Sequence, residues 1–235
     1  MSDRLLEIII DSFPKIILPG LTMTIPLTIL SFSFAMVIAL VTALIQVANI
    51  RVLKQIARFY IWVIRGTPLL VQLYVIFYGL PKFGILLEPF PAAVIVFAIN
   101  TGAYDAETLR ATIDAVPKGQ LEAGSCVGMS YLQTMRRIIL PQAFRTAFPS
   151  LSNSLISMVK DTSLAANITV LEMFMATQRI VSRTYEPLAL YIEVGLVYLL
   201  FSTVLTKLQT YGEKKLGHYD QKEVTPPLPQ KESVL

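Results

Sequence analysis

The sequence predicts an all-α integral membrane protein with about five membrane-spanning helices, on three observations. Its 235 residues are 54% hydrophobic and only 15% charged, with a mean hydropathy of +0.60, whereas a soluble domain usually carries about 25% charged residues. Apolar runs of the length a bilayer demands, about 20 residues, recur along the chain. The basic residues between those runs collect in alternate connecting segments, as the positive-inside bias requires.

The elements follow in order. Residues 1–15 carry three acids and one Arg up to and including Asp11 and read as a retained extracellular segment rather than a cleavable signal. The first span is expected at 16–47, with an irregular start at Pro19, Gly20 and Pro26. After Arg51, Lys54 and Arg58 the second is expected at 59–80, interrupted only by Arg65, and the third at 90–111. Residues 114–137 are too charged to span. The fourth span is expected at 141–162, bent by Pro149, and the fifth at 188–208. Between these two, residues 167–183 mix apolar and polar side chains in a way that suits a short helix at the interface or folded back into protein. Residues 219–235, rich in Pro, Lys and Glu, read as a disordered cytoplasmic tail.

Arg51, Lys54, Arg58, Lys118, Arg136, Arg137, Lys207, Lys214 and Lys215 fall in one set of connections, and the poorer set holds Arg4, Lys15, Lys82, Arg179 and Arg183. The richer set faces the cytoplasm, so five spans place the N-terminus outside and the C-terminus inside a cell membrane. A single Cys126 leaves no internal disulfide, and a single His218 in the tail argues against a histidine-held catalytic metal. The excess of 20 Lys and Arg over 16 Asp and Glu is absorbed by topology, with no sign of nucleic-acid binding. No nucleophile-and-base arrangement points to an enzyme. No Gly-x-x-x-x-Gly-Lys-Ser/Thr phosphate loop occurs either.

The cytoplasmic segment 118–140 reads as a short helix through Glu122, Ala123 and Gly124, a turn at Gly128, and a second helical run through Ile138 and Leu140 that stops before Pro141. Such a helix pair can fill a groove on a soluble partner and transmit rigid-body motion, although an ordinary surface helix has the same composition. The spacing Glu-Ala-x-x-x-x-Gly, nine residues, Ile-x-Leu-Pro resembles the coupling motif of type I ATP-binding cassette importer permeases, with Gly124 where the second Ala is usual. A small residue for a small one should preserve the helix packing there. Arg65-Gly66-Thr67-Pro68-Leu69-Leu70-Val71-Gln72, Asn100-Thr101-Gly102-Ala103-Tyr104, Glu107-Thr108-Leu109-Arg110 and Lys160-Asp161-Thr162-Ser163-Leu164 are similar to segments of the polar amino-acid uptake branch of that family, most of all its L-cystine permeases. The resemblance implies a permease subunit paired with a second one, as homo- or heterodimer, in the lipid bilayer. It also implies that separate ATPase subunits bind the ATP and Mg, with none bound by this chain, and that an extracellular amino-acid-binding protein delivers the substrate. Glu122, Ala123, Gly124, Gly128, Ile138, Leu140 and Pro141 would then form the ATPase-coupling element. A stand-alone ion-coupled carrier or channel is the alternative, although five spans without a repeat suit it poorly.

Ionisable groups at membrane depth mark candidate substrate-path residues. At 100° per residue Asn100, Tyr104 and Glu107 lie within about 60° of one another on span three. Glu107 and Arg110 are also spaced to form a structural ion pair. Arg65 and Gln72, seven apart, would stack on one face of span two, unless Arg65 snorkels to the cytoplasmic interface. Lys160 lies roughly 22 Å along span four from Arg145, at 1.5 Å per residue, and needs a partner. Lys160 and Asp161, being adjacent, can pair only if the helix breaks, where Thr162, Ser163 and Asn167 would satisfy the freed backbone groups. A zwitterionic substrate would place its carboxylate on Arg65 or Lys160 and its ammonium group on Glu107, Asp161 or Asn100.

Overall fold

The computed structural model describes residues 3–48 and 50–217, and every regular element among them is helical. The residues expected as the disordered tail, 219–235, lie outside the described part. Ten α-helices are joined in several places by π or 3₁₀ turns: α1 (Asp3–Pro19), α2 (Ile25–Val47), α3 (Arg51–Arg65), α4 (Leu69–Tyr74), α5 (Pro89–Ala115), α6 (Lys118–Cys126), α7 (Tyr131–Thr134), α8 (Leu140–Asp161), α9 (Met173–Thr184) and α10 (Pro187–Gly217).

The centre is the α2–α5 pair, the most extensive helix contact in the fold. Ala35, Ala39, Ala43, Ala92, Ala103 and Ala106 are all fully buried, and side chains this small let two backbones approach closely. One apolar cluster joins α2, α4 and the first half of α5, including Leu27, Leu73 and Phe97. A second joins α2, α3, the second half of α5 and α8 through Ile61, Leu109 and Leu151. A third, around Ile16, Met173 and Val194, holds α1, α9 and α10 together.

Three expectations are corrected. No break separates residues 1–15 from the first span, because α1 begins at Asp3 and a π turn over Gly20–Thr24, after Pro19, carries the chain into α2. The second span is not one rod over 59–80. α3 ends at Arg65 and the helix resuming at Leu69 is turned by 103° from it. Pro68, with its ring-fixed φ of −64° and extended ψ of 137°, cannot continue the helix that Gly66 terminates. The coupling segment's second run does not stop before Pro141 either. A π turn over Met135–Ile139 passes into α8, with the Leu140 amide donating to the Met135 carbonyl, so Pro141 falls at a helix start, where its missing N–H costs little.

Two stretches, Asp3–Val47 and Pro187–Leu216, are long and apolar enough to cross a membrane, and the bent pair α3–α4 adds a third. α5 and α8 coincide with the expected third and fourth spans but are less apolar, since each turns polar side chains inward. α8 keeps Pro149 inside one continuous helix. It ends at Asp161, where a 3₁₀ turn over Thr162–Ile168 begins and closes on Thr169 at φ 69°. The hydroxyls of Thr162 and Ser163 donate to the carbonyls of Val159 and Lys160, both at 2.7 Å, and the Asn167 amide donates to that of Leu164 at 3.0 Å. These bonds give carbonyls at the end of α8 and within the turn a side-chain donor.

Glu172 pins the far end of this turn. Its carboxylate is fully buried and accepts from the amides of Phe174 and Met175, at 2.9 and 2.7 Å, and from the Tyr198 hydroxyl at 2.7 Å. One side chain therefore caps α9 and ties it to α10. Glu172→Ala should lower the melting temperature of the purified protein clearly more than Tyr198→Phe. It strands three donors at once, at about 1–3 kcal/mol for each that water does not reach, and differential scanning fluorimetry in detergent checks the order.

Candidate functional site

Where α3 ends, the second half of α5 and the length of α8 enclose a polar cavity of about 660 Å³. From the α3 break come Arg65 and Leu69; from α5 come Asn100, Thr101, Tyr104, Asp105, Glu107 and Thr108. α8 contributes Ser150, Asn153, Ser154, Ser157 and Asp161. The helical period explains the α8 contribution, since residues three, four and seven apart fall on one stripe. The Arg65 guanidinium carbon lies 5.1 Å from the Tyr104 ring centroid, a cation–π arrangement that holds the cation at the cavity wall.

Asp105 is 1% exposed. One carboxylate oxygen accepts from the Ser154 hydroxyl at 2.6 Å, linking α5 to α8, and the other has no hydrogen-bond partner among the described residues. A buried carboxylate oxygen left open is costly unless something polar meets it. Glu107 sits at the inner end of an ion-pair chain. Arg110 donates to it at 3.2 Å and to Asp114 at 2.9 Å, while the Gln46 amide donates to it from α2 at 3.2 Å. The structural ion pair anticipated for Glu107 and Arg110 is therefore present, and Glu107 also borders the cavity.

The expected site residues thus divide. Arg65, Asn100, Tyr104, Glu107 and Asp161 meet around one cavity. Gln72 does not stack over Arg65, because the helix between them is broken. It folds back, donating to the carbonyls of Ile64 and Thr67 at 2.8 and 3.1 Å and accepting from Asn100 at 3.0 Å, so it braces the bend against α5. Lys160 and Ser163 line a different cavity of about 420 Å³, between α8, α9 and α10, with Phe174, Tyr191 and Tyr198. Thr162 is fully buried in the 3₁₀ turn.

The second element of interest is the segment between α5 and α8. α6 carries Glu122, Ala123 and Gly124, Gly128 takes φ 78°, and Ser130 and Gln133 form a reciprocal capping box that starts α7. Gly128 takes the left-handed conformation that glycine adopts without steric cost. A Cβ on Gly124 would lie 2.5 Å from the Thr134 hydroxyl oxygen and 2.7 Å from its methyl carbon, so α6 seats directly on α7 at this point.

The family described as binding-protein-dependent transport system inner membrane component matches residues 35–218. The chain belongs to this family. The permease is 48% identical over 214 residues to the L-cystine transport system permease protein TcyB of Bacillus subtilis (strain 168), covering 91% of this chain and 92% of that protein. A crystal structure of an amino acid ABC transporter with histidines superposes with a TM-score of 0.83 at 37% identity, over 92% of the permease and 100% of that chain. An inward-facing MetNI methionine ABC transporter shares the fold, with a TM-score of 0.69 at 14% identity over 92% and 99% of the two chains. The fold is that of type I ABC importer permeases, and the permease is a subunit of such an importer in the membrane.

Sequence reasoning missed Asp105 and the α8 stripe Ser150, Asn153, Ser154, Ser157. Asp105 was passed over because the α5 face chosen ran through Asn100, Tyr104 and Glu107. It lies on the neighbouring stripe with Thr101 and Thr108, four and three residues away, where a carboxylate at membrane depth was itself the available signal.

Proposed function

We propose that the permease forms the translocation path of an ATP-driven importer for a polar amino acid, L-cystine being the substrate favoured, with its substrate in the α3–α5–α8 cavity. The observation that carries this reading is a single cavity presenting one cation, Arg65, with the acids Asp105, Glu107 and Asp161 and a neutral row of hydroxyls and amides on α8. An amino acid needs a cation for its carboxylate and an acceptor for its ammonium group. The chemistry fits Arg65 for the first and Asp105, Asp161 or Asn100 for the second. Gln72 and Thr162 stand behind the wall as braces. The 48% identity to an L-cystine permease supports the choice of substrate.

In this reading ATP and Mg²⁺ are held by separate ATPase subunits that engage α6, an extracellular amino-acid-binding protein delivers the substrate, and a second permease completes the membrane part. The N-terminus lies outside and the C-terminus in the cytoplasm, as the basic connections require. The test is uptake of radiolabelled L-cystine in vesicles bearing the permease and its co-purified ATPase, challenged with excess unlabelled compounds. L-cystine should compete strongly, and basic, acidic and amide amino acids weakly. Uphill uptake by the permease alone, with no ATPase present, would overturn the importer reading. Full competition by another amino acid would overturn only the substrate.

A further inference from the structure

A second polar cavity, of about 550 Å³, opens beside α3 and shares Glu107 with the first; Lys54, Arg58, Trp62, Gln46, Arg110 and Asp114 are among its other lining residues. Arg110 is committed to Glu107 and Asp114, but the Arg58 guanidinium is exposed and has no hydrogen bond or ion pair among the described residues. A guanidinium left without a partner beside other cations is a receptor for an anion, and phosphate oxygens fit its fork of donors.

What surrounds the cavity identifies the anion's bearer. Val52, Ile56, Phe59 and Trp62 are 65, 59, 64 and 69% exposed. They form one stripe at spacings of four, three and three residues, with the Phe59 and Trp62 rings 5.9 Å apart. The basic residues Arg51 and Arg58 flank it. A helix with a basic flank and an adjoining bare apolar stripe lies where headgroups meet acyl chains. The position in the chain agrees, because α2 ends at Val47 and α3 begins at Arg51, so Arg58 sits roughly 10 Å along α3 from the mouth of a span at 1.5 Å per residue. A free phosphate would use only the cations and leave the stripe bare.

We propose that this cavity binds the headgroup of an anionic phospholipid, its phosphate on Arg58 with Lys54 beside it, and its acyl chains along Ile56, Phe59 and Trp62. The site uses the α2–α3–α5 junction that also holds Glu107, so the lipid braces the wall of the substrate cavity from outside. Its occupant is independent of which amino acid is carried.

Trp62 is the only tryptophan in the chain and reports the site directly. Full-length permease in phosphatidylcholine vesicles is doped either with phosphatidylglycerol or with phosphatidylcholine carrying dibrominated acyl chains, which quench tryptophan on contact. Brominated phosphatidylglycerol should half-quench at a mole fraction about fivefold lower than brominated phosphatidylcholine, the preference that one added basic contact gives an anionic lipid. Arg58→Gln with Lys54→Gln should erase the difference and leave quenching by brominated phosphatidylcholine as it was, while Arg58→Lys retains the preference. Equal quenching by the two lipids in the unaltered protein overturns the proposal, as does a preference that survives loss of both charges. Displacement of brominated phosphatidylglycerol by water-soluble glycerol phosphate at concentrations matching the vesicle lipid also overturns it, since the ligand is then the free phosphate. The comparison in the unaltered protein stands alone should a variant fail to fold.

Discussion

Gly124→Ala should cut ATP-coupled uptake about tenfold or more while the chain still reaches the membrane, and adding Thr134→Ala should restore most of it, because an overpacked contact costs about 1–3 kcal/mol. The added Cβ would stand 2.5 and 2.7 Å from the outer atoms of Thr134. Thr134 is 1% exposed and its hydroxyl donates to the Ser130 carbonyl at 3.1 Å. A β-branched side chain so held has no free rotamer in which to yield. α6 must therefore lift away from α7, displacing the surface offered to an ATPase relative to α8, which runs on from α7 through the π turn. By this geometry Ala should not replace Gly at 124 without loss, since the partner across the contact is a Thr. Removing the Thr134 hydroxyl and methyl leaves only its Cβ, 3.2 Å from the new methyl, a strain that a few tenths of an ångström relieve. Uptake and ATP hydrolysis are measured together for both single variants and the double. Additive losses would show that these two side chains do not touch in the working protein. Gly128 supplies a contrast. Nothing lies within 4 Å of its would-be Cβ, and its φ is 78°, so Gly128→Val acts through backbone strain and no change at Thr134 should rescue it.

The sequence shows its helices well because period and length are local properties. Helices stand close to the expected 90–111 and 141–162, as α5 and α8, and the end of α8 beside Asp161 followed from the cost of a buried charge pair. What escaped was direction. Arg65 and Gln72 share a face only on an unbroken helix. Gly66 and Pro68 stood between them in plain view, yet a break and a kink look alike in sequence, and only the 103° turn sends Gln72 back to brace Asn100. The polar row on α8 was legible by helical period but hidden by the habit of reading spans as lipid-facing. The contact of Gly124 with Thr134 was out of reach, since it depends on a turn geometry ten residues long. Expectations within one unbroken helix, such as the shared face of Asn100, Tyr104 and Glu107, therefore survived, and the stacking of Arg65 with Gln72 across a break did not.

The same reasoning separates two neighbours. Asp161→Asn should raise the KM for uptake about 10- to 100-fold, since a charge-assisted hydrogen bond to a substrate ammonium group contributes about 1.5–3 kcal/mol. Lys160→Gln should leave KM within about twofold, because Lys160 lines the other cavity and not the one between α3, α5 and α8. In sequence the two are an adjacent pair of opposite charge, and a local account would have them neutralise one another and fail together. The fold sends them apart: Asp161 turns to the α3–α5–α8 cavity with Arg65 and Asn100, and Lys160 turns to the groove of α9 and α10 with Tyr191 and Tyr198. Initial rates over a range of L-cystine concentrations, normalised to the amount of permease in the vesicles, settle the comparison. Equal rises in KM for both variants would place Lys160 on the path and contradict the division of the two cavities. An unchanged KM for Asp161→Asn would leave Asp105, with its open carboxylate oxygen, as the acceptor to test next, and Asp105→Asn would then be the variant that raises KM.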